Sequence, residues 1–288
     1  MNKSRLPEWL KKPYRPMGEK NVVEDIINDL HLNTVCREAS CPNYSECFHD
    51  GTATIMIMGR NCTRNCAFCG VTNAPPSPLD PDEPKHVGDA VRRLSLKYIV
   101  ITSVTRDDLP DGGASHFAAT VHEIKKQSPD VKIEVLIPDF RGDETALRVL
   151  MDAKPDVISH NMETVKSLYA KVRPEADYER SLELIKRVSG SDTGIFSKSG
   201  IMVGVGETDE QVEELFDDLR NAGCEFLTIG QYLSPSTDNL PVSEFITPEK
   251  FDIWAGIARE KGFSYVASAP FVRSSYHAGN ALISEAGD

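Results

Sequence analysis

Between residues 52 and 229 the chain alternates short β-branched, apolar runs with helical stretches. The runs fall at 52–58, 98–102, 131–137, 157–159, 199–203 and 226–229, and the stretches at 87–94, 114–126, 144–151, 178–188 and 209–221 lie between them. The spacing is roughly thirty residues, that of a strand–helix unit. Strands alternating with helices imply a parallel sheet, and six units rather than eight predict an α/β fold of the incomplete (β/α)6 TIM-type barrel class. In such barrels the chemistry sits at the carboxyl ends of the strands. Five polar segments fall there: a cysteine-rich loop after the first strand, 103–108 after the second, 160–163 after the fourth, 204–207 after the fifth, and Gln231-Tyr232 after the sixth. Together they predict one shared site.

Six of the seven cysteines fall in two triads, Cys36-x4-Cys41-x5-Cys47 and Cys62-x3-Cys66-x2-Cys69. Three thiolates at CxxxCxxC spacing can ligate three irons of a cubane iron–sulfur cluster from one short loop, leaving the fourth iron open to a substrate or cofactor. A zinc site wants Cys or Cys/His pairs that complete a tetrahedron, and neither triad offers them. A disulfide framework suits a small secreted chain with an even cysteine count. Cys224, ahead of a buried strand, reads as a small core residue. Gly204-Val205-Gly206 lacks the third glycine of a dinucleotide fingerprint and suggests only a close backbone approach to some ligand. Asp111-Gly112-Gly113 reads as a turn before a helix, and the seven histidines show no metal-ligand spacing.

With 288 residues, 40% of them hydrophobic, the chain can bury a large core, and no apolar run is long enough to cross a bilayer. Residues 1–20 are polar and broken by proline, unlike an export signal, so reduced cysteines place the chain in the cytoplasm as an expectation. A formal charge of −12 opposes general nucleic-acid binding. The amino-terminal arm is locally basic, with Lys3, Arg5, Lys11, Lys12, Arg15 and Lys20 and the aromatics Trp9 and Tyr14. Such an arm reads first as a solvated terminus, with steering of an acidic partner or packing over the first triad as the alternatives.

The chain resembles one family over nearly its whole length, the lipoyl synthases among the radical S-adenosylmethionine enzymes. The resemblance is carried by Leu6-Pro7-Glu8-Trp9-Leu10, by Cys36-Arg37-Glu38-Ala39-Ser40-Cys41-Pro42-Asn43 closed by Cys47, and by Met56-Ile57-Met58-Gly59 leading into the second triad. Arg106-Asp107-Asp108-Leu109, His160-Asn161-Met162-Glu163, Val172-Arg173-Pro174, Gln231-Tyr232-Leu233 and the closing Arg273-Ser274-Ser275-Tyr276 complete it. Glu175, Asn239 and Ala269 depart from the residues usual in the family, and none is expected to touch a ligand.

The resemblance implies two [4Fe-4S] clusters and S-adenosylmethionine. Cys62, Cys66 and Cys69 would hold the cluster that cleaves the cofactor, giving a 5′-deoxyadenosyl radical. That radical would take hydrogen from C6 and then C8 of an octanoyl group. Cys36, Cys41 and Cys47 would hold an auxiliary cluster that donates sulfur, its fourth iron bound by Ser275 rather than Ser274, with Arg273 stabilising the oxygen. Asn161, Glu163 and Arg173 suit the ribose and carboxylate of the cofactor, and Lys198 with the 204–207 loop is expected in the same pocket. Implied partners are octanoylated lipoyl carrier proteins, namely the lipoyl domains of 2-oxoacid dehydrogenases and the glycine cleavage H protein, and an electron donor such as ferredoxin or flavodoxin. The implied division is residues 1–50 for the auxiliary cysteines, 51–235 for the barrel and 236–288 for the carboxyl-terminal extension. A biotin-synthase-like sulfur-inserting enzyme and a non-catalytic iron–sulfur carrier are the competing readings.

Overall fold

Strand β1 (Asn33–Thr34) pairs antiparallel with β2 (Ile55–Ile57). From β2 the sheet is parallel and continues in chain order through β3 (Tyr98–Ser103), β4 (Lys132–Leu136), β5 (Val157–Ser159), β6 (Phe196–Val203), β7 (Phe226–Gln231) and β8 (Tyr265–Ser268). The computed structural model describes residues 6–12, 21–49, 51 and 53–285; Thr52 and the arm residues Lys3, Arg5, Tyr14, Arg15 and Lys20 lie outside them. Helix α1 (Val22–Asp29) precedes β1, and α2 (Glu83–Arg93), α3 (Ala114–Gln127), α4 (Glu144–Asp152), α5 (Tyr178–Ser189), α6 (Asp209–Asn221) and α7 (Pro248–Glu260) connect successive parallel strands. The six expected strands all form. The sheet remains open, with β1 and β8 as its edges, so the incomplete barrel is the observed architecture.

Local chemistry starts the helices where they start. The Asp143 carboxylate accepts from the amides of Thr145 and Ala146 at the head of α4, at 2.8 and 3.2 Å. Thr208 and Gln211 form a reciprocal capping box at α6, and Pro248 opens α7, where a missing amide proton does no harm. In β3, Ile99 and Ile101 are buried in the main hydrophobic cluster with Phe117 and Val121 of α3. The alternate residues Tyr98, Val100 and Thr102 instead line a central cavity, as the two-residue period of a strand requires. Cys224 is fully buried in the cluster that includes Phe216 and Leu227. No helix among the described residues is long and apolar enough to cross a membrane.

Strand β8 and helix α7 extend the barrel beyond the six expected strands. Tyr265–Ser268 is a four-residue strand with alanine and serine in it, too short and too weakly β-branched to stand out, but it pairs in register with Phe226–Ile229. The segment after residue 235 therefore contributes a strand to the same sheet and the helix that leads into it.

Candidate active site

All six triad cysteines line one cavity of about 780 Å³. Its wall includes inward-facing residues of β3, β6 and β7, so it occupies the inside of the barrel rather than only the mouth. Small residues make the room. An added Cβ at Gly230 would come within 2.2 Å of the Val272 carbonyl, and one at Gly200 within 2.9 Å of Asn161 Oδ1 and 3.0 Å of Ser274 Oγ. These two positions let the carboxyl-terminal segment lie against the strands.

The second triad leaves β2 through Met58, whose φ of 67° is left-handed. That strained turn is pinned from both sides, its amide donating to Glu83 (2.8 Å) and its carbonyl accepting from Arg106 (3.3 Å). Amides of Arg64 and Thr105 point at Cys62 Sγ (3.5 and 3.3 Å), and that of Val71 points at Cys69 Sγ (3.5 Å). Donors aimed at sulfur favour thiolate and tune a cluster's potential. Burial pushes the Cys69 thiol up to about 12, reinforced by the charges of Cys66 and Cys62, and it pushes Cys66 upward too.

In the first triad, Cys36 sits on a one-turn helix capped by Thr34, Cys41 donates its amide to the Cys36 carbonyl (3.1 Å), and Cys47 rides on the Tyr44–His49 helix. Burial, with the neighbouring cysteines, pushes Cys36 to about 11 and Cys47 to about 12. Thiols so placed stay protonated until a cation takes the protons' place, the behaviour expected of metal or cluster ligands. Among the described residues no three His, Cys, Asp or Glu side chains group closely enough for a single metal ion. A donor set of three thiols per triad in one cavity fits two iron–sulfur clusters.

The two triads touch the same surroundings. An added Cβ at Gly70 would meet the Ala39 carbonyl at 3.3 Å, so the loops abut. The segment after β8 joins them. Asn43 Nδ2 donates to the Phe271 carbonyl and Tyr276 OH to Glu46, each at 2.8 Å. Lys12 clasps the same junction, donating to Asn43 Oδ1 (2.5 Å) and Glu46 (2.6 Å) with its ammonium over the Phe271 ring. For Lys12, packing over the first triad is what the structure gives. Lys11 pairs with Glu8 at the surface.

Asn161, Glu163 and Arg173 come together as the sequence suggests. Asn161 Nδ2 donates to Glu163 (3.0 Å), and Arg173 Nη1 donates to the Asn161 carbonyl (2.7 Å). Burial raises the Glu163 carboxyl, an effect that Arg173 opposes. Arg173 Nε is buried without a partner among the described residues, a donor left for a ligand's acceptor. Ser274 and Ser275 both line the cavity. Ser274 Oγ donates to Asn161 Oδ1 (2.9 Å), whereas Ser275 Oγ makes no hydrogen bond among the described residues. Arg273 faces Cys41 and Glu163, whose charges oppose the downward pull of burial on its guanidinium.

Lys198 does not line the cavity. Its ammonium is spent on Glu134 and the Ser274 carbonyl. The 204–207 loop also stays outside, because its own Glu207 accepts from the amides of Gly204, Val205 and Gly206. Ser103, His160, Gln231 and Tyr232 do reach the wall. Two departures from the family pattern lie closer than expected. Asn239 Nδ2 donates to the Cys69 carbonyl (2.9 Å), and Glu175 accepts from the Asn65 amide (2.6 Å), so both brace the second-triad loop. The apolar part of the wall, such as Val100 and Leu136, carries no local sequence signal.

His160 bears on pH stability. Its Nδ1 donates to the Ile137 carbonyl (2.8 Å), and burial, with Arg173 nearby, pushes the imidazole down from 6.5 to about 4. The folded state holds it neutral, so stability is complete above 6.5 and is lost as pH falls toward 4, by roughly 3 kcal/mol in all. Denaturant midpoints of cluster-free protein should fall between pH 7 and pH 5, and less steeply in His160→Asn. An equally steep fall in that variant removes His160 as the cause.

The sequence pattern of the Radical SAM superfamily matches residues 56–219. A lipoyl synthase of Caldanaerobacter subterraneus subsp. tengcongensis is 56% identical over 95% of this chain and 96% of its own length. One from Alkaliphilus metalliredigens is 52% identical over 98% and 97%. Among solved structures, Streptococcus suis SuiB bound to S-adenosylmethionine superposes with a TM-score of 0.58 at 11% identity, over 74% of this chain and 49% of that one, a likeness of fold. With the double triad inside a partial barrel and relatives more than half identical end to end, the chain belongs to the lipoyl synthase family of the radical S-adenosylmethionine superfamily.

Proposed function

We propose that the chain inserts two sulfur atoms, at C6 and C8, into an octanoyl group carried in amide linkage on a lysine of a lipoyl carrier protein. The observation that carries the reading is that both triads and the unpartnered Ser275 hydroxyl line one cavity. Membership of the superfamily brings one [4Fe-4S] cluster and S-adenosylmethionine; the second cluster belongs to the proposal. Bound there, these groups supply an electron, a carbon radical able to take hydrogen from an unactivated C–H bond, and sulfur.

The chain's own residues supply the rest. Cys62, Cys66 and Cys69 hold the cofactor-cleaving cluster, and the amides on Cys62 and Cys69 stabilise their thiolates. Arg173 and Glu163 orient the carboxylate and hydroxyls of the adenosyl cofactor, with Asn161 fixed between Glu163 and Ser274. Cys36, Cys41, Cys47 and Ser275 hold the sulfur-donating cluster. The apolar inner faces of β2, β3 and β4 (Met56, Val100, Leu136) suit an acyl chain and keep water from a radical. Residues 1–50 and 236–288 act as one functional unit around the auxiliary cluster, set into the barrel of 51–235. The carriers are lipoyl domains of 2-oxoacid dehydrogenases and the glycine cleavage H protein, and the reductant is a ferredoxin or flavodoxin.

The test is anaerobic incubation of reconstituted protein with reductant, S-adenosylmethionine and an octanoyl-lysine peptide, read by mass spectrometry. A product carrying two added sulfurs is expected. Cleavage of the cofactor with the peptide left untouched would sink the reading.

A further inference from the structure

Lys198 and Glu134 form an ion pair inside the barrel, with side chains 1% and 0% exposed. All three ammonium protons have acceptors: both Glu134 oxygens at 2.8 and 2.9 Å, and the Ser274 carbonyl at 2.7 Å. Tyr98 OH donates to the same carboxylate at 2.6 Å. A sealed pair of this kind gives little net stability over apolar residues of equal volume, because desolvation offsets the attraction. An apolar pair, however, cannot hold a peptide carbonyl. The Ser274 carbonyl needs such a partner, since residues 269–279 follow β8 without joining a strand or helix.

We infer that Lys198 is a positioning residue, its third N–H clamping the Ser274 carbonyl and thereby fixing the strap that carries Ser275. Lys198 lies on β6 with Gly200 two positions on, on the same face, and the missing Cβ there admits Ser274 Oγ and Asn161. The strap is thus held before Ser275 by Lys198 and after it by the Tyr276–Glu46 hydrogen bond, while the Ser275 hydroxyl between them stays free. The consequence for the auxiliary cluster rests on the Ser275 reading; the clamp itself rests on geometry.

Lys198→Met alone would bury an unpaired Glu134 and confound any effect on the strap, so the variant is Lys198→Met with Glu134→Gln, which removes both charges and leaves Tyr98 an acceptor. In cluster-free protein, amide exchange of the 271–279 peptide is expected to speed at least about tenfold while the β3 and β7 peptides keep their protection. Exchange of 271–279 within about twofold of wild type, in a folded double variant, overturns the clamp. Should the double variant not fold, lysine-selective ¹⁵N resonances of the wild type decide. A slowly exchanging Nζ with a contact to Ser275 Hα supports the clamp, and a freely exchanging one overturns it. After reconstitution, the auxiliary cluster of the double variant should give the spectrum of Ser275→Ala, with the other cluster unchanged. A faster strap combined with wild-type cluster spectra in both proteins leaves the clamp standing and removes Ser275 as ligand.

Discussion

Replacing Cys62, Cys66 and Cys69 together by alanine is expected to leave about half of the iron and to abolish cleavage of S-adenosylmethionine, since each triad serves one cube. The barrel should survive, because none of the three belongs to its buried core and the loop is anchored elsewhere, at Met58 by Glu83 and Arg106 and at Thr63 by the Thr105 carbonyl. The reciprocal variant, with Cys36, Cys41 and Cys47 replaced, should keep cofactor cleavage and yield no sulfur-bearing product. Iron and sulfide analysis beside a 5′-deoxyadenosine assay reads both. Cofactor cleavage by the first variant would overturn the division of labour between the triads.

The strands, the helices between them and the triads were legible because each is a local pattern: an apolar run, a 3.6-residue period, a spacing of thiols. What the sequence left hidden depends on partners far away in the chain. Lys198 within Phe196–Val203 reads the same whether it faces a ligand or a carboxylate 64 residues off, and Glu134 within Lys132–Leu136 looks like ordinary strand polarity. The 204–207 loop resembles a ligand cradle until its own Glu207 is seen filling it. The barrel's open interior was equally hidden, since Gly200 and Gly230 gain their meaning from Ser274 and Val272, 74 and 42 residues later, which lie against them. Asn239 and Glu175 brace the second-triad loop through backbone contacts, which leave no motif behind.

Ser275→Ala is expected to lower formation of the sulfur-bearing product by at least about 100-fold, since losing a ligand should matter no less than losing the groups that orient one. Cofactor cleavage should continue, because Ser275 makes no bond to Asn161, Glu163 or Arg173. Ser274→Ala should behave differently. It removes one hydrogen bond, to Asn161 Oδ1, worth about 1 kcal/mol, so cofactor affinity should weaken by roughly fivefold with product still formed. The Ser274 carbonyl, which Lys198 holds, is untouched by that change. Ser275→Cys should bind the cluster but release sulfur poorly, since thiolate is the softer and more tenacious partner for iron. The physical distinction between adjacent serines is that one hydroxyl is already committed to Asn161 and the other lines the same cavity with no hydrogen bond of its own among the described residues. Native product formation by Ser275→Ala together with its loss in Ser274→Ala would assign the ligand to the other serine, and native rates in both variants would remove serine ligation altogether.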